Sequence, residues 1–177
     1  MEIIGQEDIK IEILTENHDV SNFRSYEQEL VNFLKEDALR NQKLSLSITF
    51  LWFHKENLVS YITLLNDRIN LEGNLKLSFR DKSVLYKSLP ALKIGRIAVD
   101  DKFLMRGIGS LMVSFARNVA IKMQKNYSGC RFITVDAKRN QEKSRDAIHF
   151  YKKIGFFPLK ERAKGTTPMY LDLSLLS

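Results

Sequence analysis

Residues 105–112 read MRGIGSLM: two glycines one residue apart, placed where a strand pattern gives way to a long amphipathic helix. Upstream, LKIGRIAV (92–99) is rich in β-branched residues, with Gly95 marking a candidate bulge. Downstream, Leu111, Met112, Phe115, Ala116, Val119, Ala120 and Met123 recur at helical spacing. A strand, a glycine turn and a helix in that order bring backbone N–H groups and the positive end of a helix dipole to one point, which suits a phosphate. A P-loop requires Gly-Lys-Ser/Thr, but Gly109 is followed by Ser110 and Leu111. A dinucleotide fingerprint requires a third glycine where Met112 stands and an acidic residue ending the next strand, for which only Asp136 offers itself. Taken alone, the pair of glycines reads as a plain turn.

The rest of the chain alternates helix and strand patterns, which predicts a mixed α/β architecture. IKIEIL (9–14) alternates as a half-buried strand does. Tyr26, Leu30, Phe33 and Leu34 predict a helix capped by Ser21 or Asn22. LSITFLWF (46–53), KEN (55–57) and LVSYITLL (58–65) read as a hairpin. Residues 66–90 are interrupted by Gly73 and Asn74 and end at Pro90, and read as a loop or insertion. CRFITVDA (130–137) is a further strand. A polar turn, KRNQEKS, leads into a helix with Ala147, Phe150, Tyr151 and Ile154 on one side, stopped by Gly155. FFPL (156–159) and MYLDL (169–173) are the final short strands.

With 177 residues and 44% hydrophobic content, a single domain spanning 1–177 is expected. The first residues, MEIIGQEDIK, lack the apolar core of a signal peptide, and no apolar stretch is long enough to cross a bilayer. One cysteine, Cys130, excludes an internal disulfide framework, so a cytoplasmic protein with no membrane partner is expected. The net charge of +7 is uneven: residues 1–101 carry 13 Lys+Arg against 16 Asp+Glu, and residues 102–177 carry 15 against 5. That asymmetry fits a polyanionic partner, a phosphorylated cofactor or nucleic acid, or equally a solvated basic face.

The succession GRIAVDDKFLMRGIGSLM, helix, RFITVDA and AIHFYKKIGF resembles the GNAT superfamily of acyl-CoA-dependent N-acetyltransferases, over roughly residues 92–173. The resemblance implies the GNAT fold: a mixed central sheet of about six to seven strands, splayed at the acyl-CoA site and flanked by helices. It implies acetyl-CoA as co-substrate, with backbone groups of Ile97, Ala98 and Val99 meeting the pantetheine arm. Met105, Arg106, Gly107, Ile108, Gly109 and Ser110 would wrap the pyrophosphate, and Ser144 stands where the family often has a cofactor-contacting Asn. The family's Gln or Arg three residues before the first glycine is replaced by Leu104, a departure that leaves the amide-mediated grip intact. Tyr151 matches the tyrosine that in many members protonates the departing CoA sulfur; read without the family, it simply packs beside Phe150 and Ile154.

SYEQELVNFLKEDALRNQ, YITL, LPALKIGRIAV and TTPMYLDL further resemble the TacT-like branch, which includes toxins that acetylate the α-amine of aminoacyl-tRNA. That likeness brings an antitoxin and a homodimer into view as partners. A lysine amine has a pKa of about 10.4, whereas an α-amine lies near 7.7–8.0 and needs less help from a base. No general base stands out: Asp100, Asp101 and Asp136 are expected in loop or cap duty, and His149 on the exposed side of its helix. Cys130 is expected to be buried, and no His, Cys or carboxylate spacing suggests a metal. Direct transfer in a ternary complex follows, to a small-molecule amine, a peptide or an aminoacyl-tRNA. A non-catalytic acyl-CoA sensor is the alternative.

Overall fold

A computed structural model describes residues 3–140, 146–160 and 165–176. Its strands are β1 (Lys10–Ile13), β2 (Ile48–His54), β3 (Asn57–Asn70), β4 (Ser88–Val99), β5 (Phe132–Lys138), β6 (Phe157–Pro158) and β7 (Thr166–Asp172). Its helices are α1 (Gln28–Asn32), α2 (Ala38–Lys43), α3 (Gly73–Arg80), α4 (Ile108–Asn126) and α5 (Ala147–Lys153). The sheet order is β1-β2-β3-β4-β5-β7-β6. Two compact units divide the chain, Met1–Leu65 with Ile94–Ala116 and Asn66–Lys93 with Arg117–Ser177, so that β3, β4 and α4 each contribute to both.

In the first unit the predicted hairpin forms, with β2 and β3 antiparallel. Its turn is Lys55-Glu56, both at positive φ (46° and 64°), the backbone of a two-residue type I′ connection normally filled by Asn-Gly. Alternation then places Leu51 and Tyr61 in a core with Leu14, Phe23, Val31, Leu34, Ala38 and Ala98. On the other face, Phe50 and Trp52 set their rings edge-on to Phe115 of α4, at 4.9 and 5.7 Å between centroids. Gln42 of α2 ties the layers together: its amide donates to the Leu14 carbonyl at 2.8 Å and accepts from the Thr49 N–H at 3.0 Å.

The helix expected from Ser21 starts only at Gln28. Residues 21–26 are instead pinned by β4's end: Asp100 accepts the Arg24 N–H at 2.9 Å and Asp101 accepts the Tyr26 N–H at 3.1 Å. Backbone donors engaged this way are unavailable to a helix, and Tyr26 is left exposed. Between α1 and α2, residues Phe33–Asp37 form a π turn, and the Leu30 carbonyl beside it accepts the buried Tyr61 hydroxyl at 2.7 Å.

In the second unit, residues 66–90 are structured rather than a loop: β3 continues to Asn70, α3 follows, and Pro90 lies inside β4, which begins at Ser88. The sequence hides this because α3 buries only Phe79. That ring meets Phe132 edge-on at 5.9 Å, in a core with Ile69, Leu71 and Ala91. β7 pairs antiparallel with β5 and with the two-residue β6. Gly155, at φ 93°, ends α5 as expected.

Candidate functional site

Ile97, Ala98, Val99 and Met105–Ser110 all fall within the first unit. Ala98 points into its core, and Ile97 and Val99 are half-buried. After Val99, Asp100 caps a short 3-10 turn (Asp101–Phe103) by accepting the Lys102 N–H at 3.0 Å, which is the cap role expected of it. The chain then crosses the left-handed region twice, at Met105 (φ 59°) and Gly107 (φ 84°), before α4 begins. Glycine accommodates that conformation freely, but Met105 does so at a cost and with its side chain 76% exposed. A bulky residue held this way marks a backbone whose shape is dictated by something other than its own preference.

The amide N–H groups of residues 105–109 donate to no described residue, whereas those of Ser110 and Leu111 turn back to the Gly107 carbonyl at 3.1 and 3.2 Å. Five donors with no acceptor among the described residues therefore lie where the loop enters a 19-residue helix, at the positive end of its dipole. Unbonded amides at the positive end of a helix suit an anion, and a pyrophosphate fits that chemistry. Arg106 steadies the loop twice: its carbonyl accepts the Ile4 N–H at 3.1 Å, and its guanidinium lies 5.2 Å from the Phe103 ring centroid.

Tyr151 belongs to the second unit. The Asp146 side chain caps α5 by accepting the Ile148 N–H at 3.2 Å, and α5 turns Tyr151 inward while leaving His149 exposed, as expected. The ring sits edge-on to Phe150 and Phe156, each at 5.1 Å. The phenol is 2% exposed and its hydroxyl has no hydrogen-bond partner among the described residues. Burial pushes its pKa well above that of a free tyrosine, so the group keeps its proton. A buried hydroxyl without a partner costs about 1–3 kcal/mol, and in a native structure it calls for an explanation such as a ligand. Ser144 lies outside the described residues.

The remaining candidates are structural. Asp136 holds Lys93 at 2.6 Å, and Cys130 is 3% exposed with its thiol pKa raised by burial. Among the described residues no three His, Cys, Asp or Glu side chains gather to hold a metal ion, and no helix is long and apolar enough to cross a membrane. One residue that sequence reasoning passed over is Arg96, next to Ile97. Its guanidinium lies over the Phe33 ring at 5.1 Å, a pairing across 63 positions that no local pattern could announce.

Residues 76–158 match the model of the acetyltransferase (GNAT) domain family. The fold agrees with solved structures over nearly the whole chain. AtaT complexed with acetyl-methionyl-tRNAfMet superposes with a TM-score of 0.79 at 24% identity, over 96% of this chain and 97% of that one. A Tyr→Phe mutant of KacT gives 0.77 at 21%, over 96% and 99%. AtaTR bound with AcCoA gives 0.76 at 24%, over 97% and 99%. Residues 76–158 thus resemble a GNAT acetyltransferase domain, and the chain has the fold of these structures. Its structural neighbours include AtaT, a toxin, and KacT.

Proposed function

We propose that residues 1–177 work as one acetyl-CoA-dependent N-acetyltransferase domain, which moves the acetyl group directly to a primary amine in a ternary complex. The observation that carries this reading is the set of amides at residues 105–109, unbonded among the described residues, where the glycine loop enters α4. They would hold the pyrophosphate, Ile97, Ala98 and Val99 would meet the pantetheine arm with their backbone groups, and Ser144 would add a hydroxyl contact. Bound acetyl-CoA supplies the activated thioester. The chain's own contribution is to orient it and to place a proton: Tyr151, kept protonated by burial, donates its O–H toward the sulfur as negative charge develops there.

The acceptor we propose is the α-amine of an aminoacyl-tRNA. An α-amine near pKa 7.7–8.0 is substantially neutral at cell pH, which suits a chain with no evident general base. The basic excess of residues 102–177 suits a phosphate backbone. AtaT, of the same fold, is known with acetyl-methionyl-tRNAfMet. AtaT is also known bound to the antitoxin AtaR. By the same likeness we propose an antitoxin partner for this chain, a cytoplasmic location, and a homodimer as the form to test.

Labelled acetyl-CoA, charged tRNA and a panel of free amines and peptides test this. Label on the aminoacyl group, lost in Tyr151→Phe while acetyl-CoA still binds, is the expected result. Turnover only with a small amine or peptide removes the tRNA acceptor. A non-catalytic acyl-CoA sensor would bind the cofactor through the same loop, transfer nothing, and leave the Tyr151 hydroxyl, which has no partner among the described residues, without a use.

A further inference from the structure

The carbonyl of Arg106 and the N–H of Gly107 belong to one peptide group. No cis bond occurs among the described residues, so the two point in opposite directions within its plane. The carbonyl accepts the Ile4 N–H at 3.1 Å, which turns the Gly107 N–H away from the N-terminal segment. That N–H has no acceptor among the described residues. The loop does not choose this orientation for itself. Gly107 sits at φ 84°, and glycine takes negative φ about as readily, so the plane can turn over at little steric cost. Turned over, it would present a carbonyl oxygen where the N–H now stands, and an oxygen repels an anion.

Ile4 is anchored well enough to decide between the two. Its side chain is 4% exposed, and the chain runs on from it through a short 3-10 turn (Gln6–Asp8) into β1, which is paired with β2. Ile3 lies against the same peptide group: a Cβ added at Gly107 would have only its Cγ2 within 4 Å, at 3.5 Å. We infer that Ile4 is a positioning residue for the cofactor, whose N–H holds the Arg106–Gly107 peptide in the orientation that offers an N–H to the pyrophosphate. The inference rests on the acetyltransferase reading above. A plane fixed before the ligand arrives lowers the ordering cost on binding.

Calorimetric titration of the full chain with acetyl-CoA and with S-acetylpantetheine, which lacks the pyrophosphate, is the test, with acetyl transfer to charged tRNA measured alongside. Ile4→Pro removes the N–H and keeps apolar bulk. It is expected to weaken acetyl-CoA binding about fivefold, the size of one hydrogen bond, and to leave S-acetylpantetheine binding as it was. Ile4→Val keeps the N–H and rescues the acetyl-CoA affinity. Should proline disturb the fold, Ile4→Gly loosens the anchor without it, and a smaller loss with the same selectivity is expected. Equal losses with both ligands, unchanged acetyl-CoA affinity in Ile4→Pro and Ile4→Gly, or no acetyl-CoA binding by the wild-type chain would each overturn the inference. A loss selective for acetyl-CoA in a chain that transfers nothing would leave it standing and remove the acetyltransferase reading. Acetyl transfer to tRNA that is indifferent to Ile4 would do the reverse.

Discussion

The carboxylate of Asp100 accepts the backbone N–H of Arg24 at 2.9 Å, a bond across 76 positions that joins the end of β4 to the segment before α1. The same side chain caps the turn leading to the glycine loop, so one buried aspartate sets both the entry to the helical layer and the exit toward the candidate cofactor loop.

Asp100→Ala removes the acceptor for two amides at once. A loss of about 2 kcal/mol is expected, since each lost cap or buried hydrogen bond is worth about 1 kcal/mol. Urea unfolding measures it, and Asp100→Asn should recover part because its amide oxygen still accepts.

The hairpin turn offers the opposite change. Lys55 and Glu56 both occupy positive φ, where non-glycine residues are strained. The double change Lys55→Asn, Glu56→Gly supplies the preferred type I′ pair and should stabilise the protein by about 1 kcal/mol, raising Tm by about 2–4 °C. A calorimetric scan showing no rise would place the turn's strain elsewhere.

At Gly107 space is available: an added Cβ would meet only Ile3, at 3.5 Å, an ordinary contact. The penalty of Gly107→Ala is therefore conformational, about 1–2 kcal/mol for forcing a side chain into the left-handed region. The loop relaxes by turning its amides, so acetyl-CoA affinity should fall about tenfold, that being the same energy expressed as a ratio. Ser110→Ala, which keeps the amide already bonded to the Gly107 carbonyl, should change affinity little in the same titration.

Tyr61 and Tyr151 are both buried, and burial raises both pKa values. A tyrosine raised in the folded state contributes stability that is complete below its unfolded pKa of about 10 and is lost as pH climbs toward the folded value. Stability should therefore fall above pH 10, by about 1.4 kcal/mol per pH unit for each tyrosine. Tyr61→Phe and Tyr151→Phe each remove one share of that slope. Denaturant melts between pH 9 and 11.5 read it. At pH 7 the two variants should differ: Tyr61→Phe leaves the Leu30 carbonyl without its partner, whereas Tyr151→Phe loses no bond to a described residue.

The sequence by itself determined the local elements and the order of their chemistry. The hairpin, the strand before the glycines, the long α4 and the glycine stop after α5 were legible because each is set by residues within a few positions of one another. It also named the loop at 105–110, since φ, spacing and helix amides are local matters. What it misread were elements fixed from a distance. The helix expected at Ser21 yields to Asp100 and Asp101, which take the amides at Arg24 and Tyr26. Residues 66–90 form strand and helix because Phe79 finds Phe132, more than fifty positions away. Only the tertiary structure decided that Tyr151's hydroxyl is buried with no partner among the described residues and that Arg96 rests on Phe33. Burial and hydrogen-bond satisfaction are properties of neighbours in space, and a single chain read in order does not contain them.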